Sequence, residues 1–411
     1  MASAFRTPMS NKYGPKLAVY LSEEGHNRPR DIAVSLTGIH IADALKSLAE
    51  PDCVTFETFE TLMALEWSPV CGHVDSLIGD DSKVFPLCFN LLKLLCFHEK
   101  KKIFESAYGF MCLQFASFTV KIGKIAQGGR LLAFQEEIAR LQPGHSIRLI
   151  LNNYARELEG EGIWNNLGNV DKFVGFLGWD WGRDGYRACL PQIGGCLLTQ
   201  TMPILRQLYA ERKSFLNVAQ QAAGMFPGWS GLLYVLWDTV FENHGGKKKL
   251  GSKKDQDINW NCIFEIGLRY AMCSKAEEDP LTYVIINNGD LRLYLTDPGC
   301  FSPIDVEDSN QVAICTTQKL ESLASINDMN YMATAILMYA SMLLTCQNFE
   351  LHANQLYQAA FRRAWNEISV IHRMDSYRWS TFAVYLEALT GSLDRYISLP
   401  TGERRVLTKP L

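Results

Sequence analysis

Apolar residues return at steps of three and four through most of this chain, the period of one helix face. The clearest case is 350–374, where Tyr357, Phe361, Ala364, Trp365, Ile368 and Ile371 make one stripe. Arg362, Arg363, Asn366 and Glu367 fall on the other side, so the pattern predicts an amphipathic helix with its aromatic stripe in the core. Phe382, Tyr385, Leu386, Leu389, Leu393 and Tyr396 repeat the spacing behind Ser376. Tyr331–Leu344 is apolar all round, which predicts a helix sandwiched between others.

The N-terminal half has the same period. Helices are expected over 31–49, 54–67 and 84–105, with Thr55 as an N-cap and Pro86 in a first turn. Further helical patterns cover 107–126, 129–141, 146–159, 197–211, 214–224, 229–243, 257–275 and 311–325. Breakers stand between them, among them Pro143-Gly144, Gly194-Gly195 and Pro227-Gly228. One stretch departs from the period. Residues 281–296 read LTYVIINNGDLRLYLT, two β-type runs around Asn288-Gly289, which predicts a hairpin or a helix pair broken at that dipeptide.

These patterns predict an all-α fold, an irregular multi-helical array with at most one small hairpin near 281–296. Helix-pair stacking of the armadillo or HEAT kind is one arrangement open to such a chain. The Gly- and Lys-rich run 245–257 reads as a linker between a block at 31–244 and another at 258–399. Residues 1–30 and 400–411 are expected to be flexible ends.

Composition fits an ordinary folded protein: 411 residues, 47% hydrophobic, with 40 Lys plus Arg against 44 Asp plus Glu. The net charge of −4 gives no global basic footprint, so nucleic acid is not the expected partner. Twelve scattered cysteines without a C-x-x-C pair read as buried free thiols of a reducing compartment. The N-terminal run has no apolar signal core, and Pro8, Gly14 and Pro15 interrupt any presequence helix. The uncharged stretches Ala188–Leu205, Ser214–Trp237 and Met329–Phe349 carry too many polar residues or prolines for a membrane span. Cytoplasmic location is therefore expected, with Lys247–Lys249 leaving nuclear import open.

No catalytic pattern survives inspection. GKKKLGSK at 246–253 has Ser252 and Lys253 in the wrong order for a phosphate loop. Gly228-Trp229-Ser230-Gly231 has Leu232 where a nucleophile elbow needs glycine, so Ser230 reads as a helix start. Cys71/His73 and Cys96/His98 lack the converging second pair that structural zinc requires. No cofactor and no metal are expected, and no residue is assigned a catalytic role.

The densest local chemistry is FVGFLGWDWGRDGYRACL at 173–190. Glycines allow tight turns, tryptophans offer flat contact area and alternating charges offer pairing. Trp179, Asp180, Trp181, Arg183, Asp184 and Arg187 are therefore candidate binding residues on a loop. A second basic-aromatic region spans 361–379, where four arginines against Glu367 and Asp375 leave a local charge of +2. The expected function is a scaffold or adaptor that binds another protein. The alternative is an all-α enzyme or small-ligand binder whose pocket gathers residues distant in sequence.

Overall fold

The computed structural model describes residues 12–22, 29–67 except 34, 84–127, 130–141, 179–188 except 183 and 184, 198–221, 229–243, 258–274, 303–322, 331–344, 349–369 and 376–397, with single positions between. The chain is all-α, as its periodicity predicts. The helices are α1 (Leu17–Tyr20), α2 (Gly38–Ser47), α3 (Phe56–Met63), α4 (Val84–Lys93), α5 (Ala107–Gln127), α6 (Leu131–Ala139), α7 (Leu198–Ala210), α8 (Arg212–Gln221), α9 (Ser230–Asn243), α10 (Ile258–Ala271), α11 (Val306–Ser322), α12 (Tyr331–Leu343), α13 (Phe349–Ile368) and α14 (Ser376–Ile397). A two-stranded ribbon, β1 (Trp179–Gly182) and β2 (Gly185–Ala188), interrupts them. Among the described residues no helix is long and apolar enough to cross a membrane.

The chain divides into two compact units that interleave in sequence. One comprises Met1–Glu211, Gln221–Ile263 and Ala276–Leu281; the other comprises Arg212–Gln220, Phe264–Lys275 and Thr282–Leu411. The linker expected at 245–257 and the tail at 400–411 lie outside the described residues. Within the expected hairpin, Ile285 and Ile286 are helical and buried, while 287–296 lie outside the described residues.

The first unit is organised on α5. That helix buries Phe110, Met111, Leu113, Phe115, Phe118 and Ile122, too many for one face, so it must be covered on several sides. α1, α3, α4, α6 and α9 all pack against it. Thr55 caps α3 through a reciprocal box with Thr58, satisfying the helix's first amides as the sequence predicts. Trp229 lies in the core and donates its indole N–H to Gln114 Oε1 at 3.1 Å, and Ser230 opens α9. The buried Glu211 carboxylate accepts the amides of Ile103 and Phe104 at 2.9 and 3.1 Å, closing the turn ahead of α5.

Residues 12–22, within the stretch expected to be flexible, are held as a strap. The carbonyls of Lys12, Tyr13 and Pro15 accept the amides of Phe56, Tyr108 and Ala107. Tyr13 Oη donates to Glu99 at 2.5 Å, Lys12 pairs with Glu99 at 3.1 Å, and the Lys101 ammonium lies 3.2 Å from the Tyr13 ring centroid. Burial alone would raise the Glu99 carboxyl, but the Tyr13 hydroxyl and the Lys12 ammonium outweigh it and hold it below its ordinary value. Burial and Glu99 together push Tyr13 up to about 12.

The depressed Glu99 contributes fully above its ordinary value, and that contribution is lost as pH falls through the folded value. The raised Tyr13 contributes below its ordinary value, and that contribution is lost as pH climbs towards about 12. Amide hydrogen exchange at Phe56, Ala107 and Tyr108 should therefore be slow near neutrality and lose protection below about pH 4. Equal protection at pH 3 and pH 7, corrected for intrinsic rates, would show that Glu99 does not hold the strap.

The second unit closes around a buried charge network. α11 packs against α12 and α13, and α14 packs against α12 and α13. Arg269 on α10 is fully buried and grips Asp308 of α11 through two bonds, Nη1 to Oδ1 at 2.6 Å and Nη2 to Oδ2 at 2.9 Å. Glu265, one turn earlier on α10, accepts from Arg269 at 3.3 Å, pairs with Arg212 at 3.1 Å and accepts the Tyr339 hydroxyl at 2.7 Å. Two arginines and two carboxylates cancel formally, which is the condition for burying them at all. Burial would weaken the Arg269 proton affinity, but Tyr339, Asp308 and Glu265 reverse that and raise it. Asp308 also accepts the Ile304 amide at 3.0 Å while Asp305 accepts the Asp308 amide at 2.8 Å, so the network residue caps α11 as well.

Candidate functional site

The sequence predicts that α13 turns its aromatic stripe inward, and the structure overturns this. At about 100° per residue, positions 361, 365 and 368 fall within roughly 60° of arc, and 363 and 367 lie across the helix. It is the second set that is buried: Arg363 is 3% exposed and Glu367 2%. Trp365 is 71% exposed, Phe361 46% and Ile368 41%. Tyr357 and Ala364 remain in the core, and Ile371 lies outside the described residues.

Packing explains the inversion. The inward face of α13 carries Ala353, Leu356, Ala359, Ala360 and Ala364, small residues that let neighbouring helices approach closely. Two buried hydroxyls tie this face down: Tyr385 Oη donates to the Ala360 carbonyl and Tyr357 Oη to the Ser392 carbonyl, each at 3.1 Å. Arg363 and Glu367 form an i,i+4 ion pair at 3.0 Å and so enter the core as a neutral couple. Burial pushes Tyr385 above its ordinary value; the Arg363 charge opposes this and the Glu367 charge adds to it. Rotating Phe361 and Trp365 inward would expose the alanines and force two large rings into the space they leave.

The result is a ridge of three large apolar side chains exposed on one helix. Ile39, Leu132 and Phe97 are also exposed, and a scatter of exposed apolar residues is ordinary for a protein surface. Arg362 flanks the ridge and makes a 3.5 Å exposed pair with Glu321, an interaction worth roughly 0–1 kcal/mol. Trp379, in the first turn of α14, is also exposed, with its ring edge-on to Phe382.

The expected binding loop at 173–190 is a ribbon over part of its length. β1 and β2 pair antiparallel, with Asp180 opposite Arg187, Trp181 opposite Tyr186, Trp179 opposite Ala188 and Gly182 opposite Gly185. Arg183 and Asp184 form the connection and lie outside the described residues. The register sets positions 180 and 187 opposite one another, with 179, 181 and 186 at alternate positions from them.

An open groove of about 480 Å³ lies between α2 and α3 in the first unit, lined by Ile32, Leu36, His40, Asp43, Thr58 and Thr61 among others. On its wall, His40 Nδ1 lies 3.1 Å from the Thr37 hydroxyl in the α2 capping box.

Neither a protein-family model, nor a curated protein, nor a solved structure matches this chain.

Proposed function

We propose that this chain is a helical protein-interaction module that docks its partner through the Phe361–Trp365–Ile368 ridge of α13. The observation that carries this is the inversion of α13: a helix that buries an ion pair and leaves a tryptophan 71% exposed between two other apolar side chains. Anchors at i, i+4 and i+7 are the spacing with which one helix fills a groove on another protein.

The occupant is a protein with an apolar cleft and an acidic rim. A single convex helix needs a concave partner. Arg362 beside the ridge, with Arg373 and Arg378 following in sequence, gives the region a positive balance that an acidic rim would complement. A second copy of this chain is the weaker occupant. The ridge offers roughly 350 Å² of apolar area per copy, so pairing two ridges would bury about 700 Å², short of the roughly 1,200 Å² of a stable interface. Nucleic acid is disfavoured by the chain's net charge of −4.

The test is capture by the immobilised full chain from nuclease-treated extract, with a synthetic peptide of residues 349–369 as competitor. A protein retained by the wild type, displaced by the peptide and absent with Trp365→Ala supports the proposal. Capture that vanishes on nuclease treatment, capture indifferent to Trp365, or a wild-type chain that sediments as a dimer at micromolar concentration each contradict it.

A further inference from the structure

We propose that the cleft filled by residues 12–22 is a peptide-binding site, and that this strap is its resident ligand, exchangeable for a segment of the same chemistry on another chain. The site lies within the first unit and is independent of the docking ridge. Its walls are α3, the opening turns of α5 and the connection at 99–106.

The strap is held through its backbone, as a docked extended peptide is. The Lys12 carbonyl accepts the Phe56 amide at 2.8 Å, the Tyr13 carbonyl accepts the Tyr108 amide at 3.1 Å, and the Pro15 carbonyl accepts the Ala107 amide at 3.0 Å. The Leu17 amide donates to the Glu105 carbonyl at 3.3 Å, and Lys16 forms an antiparallel bridge with Ser106. Main-chain bonds of this kind give adhesion, and side-chain pockets give selection.

Four side-chain positions select. The Tyr13 ring lies edge-on to Tyr108 at 5.8 Å, and its hydroxyl donates to Glu99. Gly14 has φ of +68°, and a Cβ there would stand 2.5 Å from Phe56 Cγ, so a larger residue is both strained and blocked. Leu17 is buried, and so is Tyr20. The Tyr20 ring stands edge-on to Phe56 at 5.5 Å, and its hydroxyl donates to Met111 Sδ at 3.1 Å. Lys16, Ala18 and Val19 are exposed and free to vary. The ligand is therefore a segment that opens Tyr-Gly, with Leu and a second Tyr four and seven positions after the first.

The hold on the strap is of the exchangeable kind. Its ion pair, Lys12 with Glu99, is only half-buried, and α1 is a single turn of four residues that does not persist by itself. Attachment to the same chain gives the strap an effective concentration on the order of 1 mM, against which a rival segment competes.

The experiment titrates a fluorescein-labelled peptide of residues 12–22 with three full-length chains: the wild type, Gly14→Ala and Tyr13→Phe. Gly14→Ala lifts the strap from Phe56 and opens the site, whereas Tyr13→Phe removes only the bond to Glu99. Fluorescence anisotropy should show saturable binding to the Gly14→Ala chain, roughly tenfold or more weaker binding to the wild type, and intermediate affinity for Tyr13→Phe. A peptide carrying Gly14→Ala should bind none of them. Amide exchange at Phe56, Ala107 and Tyr108 should quicken in the Gly14→Ala chain and slow again when the unmodified peptide is added. A Gly14→Ala chain with native circular dichroism that takes up no peptide overturns the proposal, as does equal affinity of all three chains or equal binding of the two peptides. Should Gly14→Ala fail to fold, tighter binding by Tyr13→Phe than by the wild type decides for the proposal, and equal binding decides against it.

Discussion

Asp308→Ala is expected to destabilise the second unit by about 3–5 kcal/mol, the cost of leaving a buried charge without its partner. Arg269 is fully buried, and Asp308 takes both of its outer nitrogens. Removing that carboxylate leaves Glu265 to answer both Arg212 and Arg269. It also removes the acceptor for the Ile304 amide at the start of α11. Urea unfolding followed by far-UV circular dichroism reads the loss as a lower midpoint. The paired replacement Arg269→Met with Asp308→Leu should recover most of it, because the expense lies in the orphaned charge more than in the lost attraction. A single-variant loss below about 1 kcal/mol would mean that water reaches this pair, contrary to the complete burial of Arg269 and Asp308.

Trp365→Ala separates two opposite pictures of α13. An inward tryptophan would cost about 3–5 kcal/mol on truncation. An exposed one should change the unfolding midpoint by no more than about 0.5 kcal/mol. With Trp365 71% exposed, the second outcome is expected. The same substitution should lower affinity for the docked partner at least tenfold, as truncating a central aromatic anchor does. Glu367→Ala should behave the other way: it leaves Arg363 buried without its i,i+4 partner and so lowers stability strongly.

What the sequence disclosed and what it hid follow from the range of the interactions. α12 was legible because a helix apolar on every side has few places to go but the interior. Thr55 was legible because a cap acts within three residues of itself. The phase of α13 was not. Hydropathy ranks Phe361, Trp365 and Ile368 above the alanines, yet alanines permit close helix contact, and Arg363 with Glu367 neutralise each other in place. The i,i+4 opposite charges were the one local hint.

The ribbon carried a period-two signal, W-D-W-G then G-Y-R-A, that its unusual composition obscured; Arg183-Asp184 is a two-residue connection without the usual Asn-Gly. The network joins Arg212, Glu265, Asp308 and Tyr339 across 127 positions, and only the Glu265–Arg269 spacing is visible locally. No motif marks the exposed Phe361–Trp365–Ile368 ridge, because an uncovered surface is defined by what remains outside the core after folding.

The dissociation constant of the captured partner, titrated by calorimetry against the wild-type chain and against Trp365→Ala, tests the docking ridge most directly. A tenfold or greater loss in a variant with an unchanged unfolding midpoint is the expected result. Equal affinity for the two chains would contradict it and place the partner elsewhere on the protein.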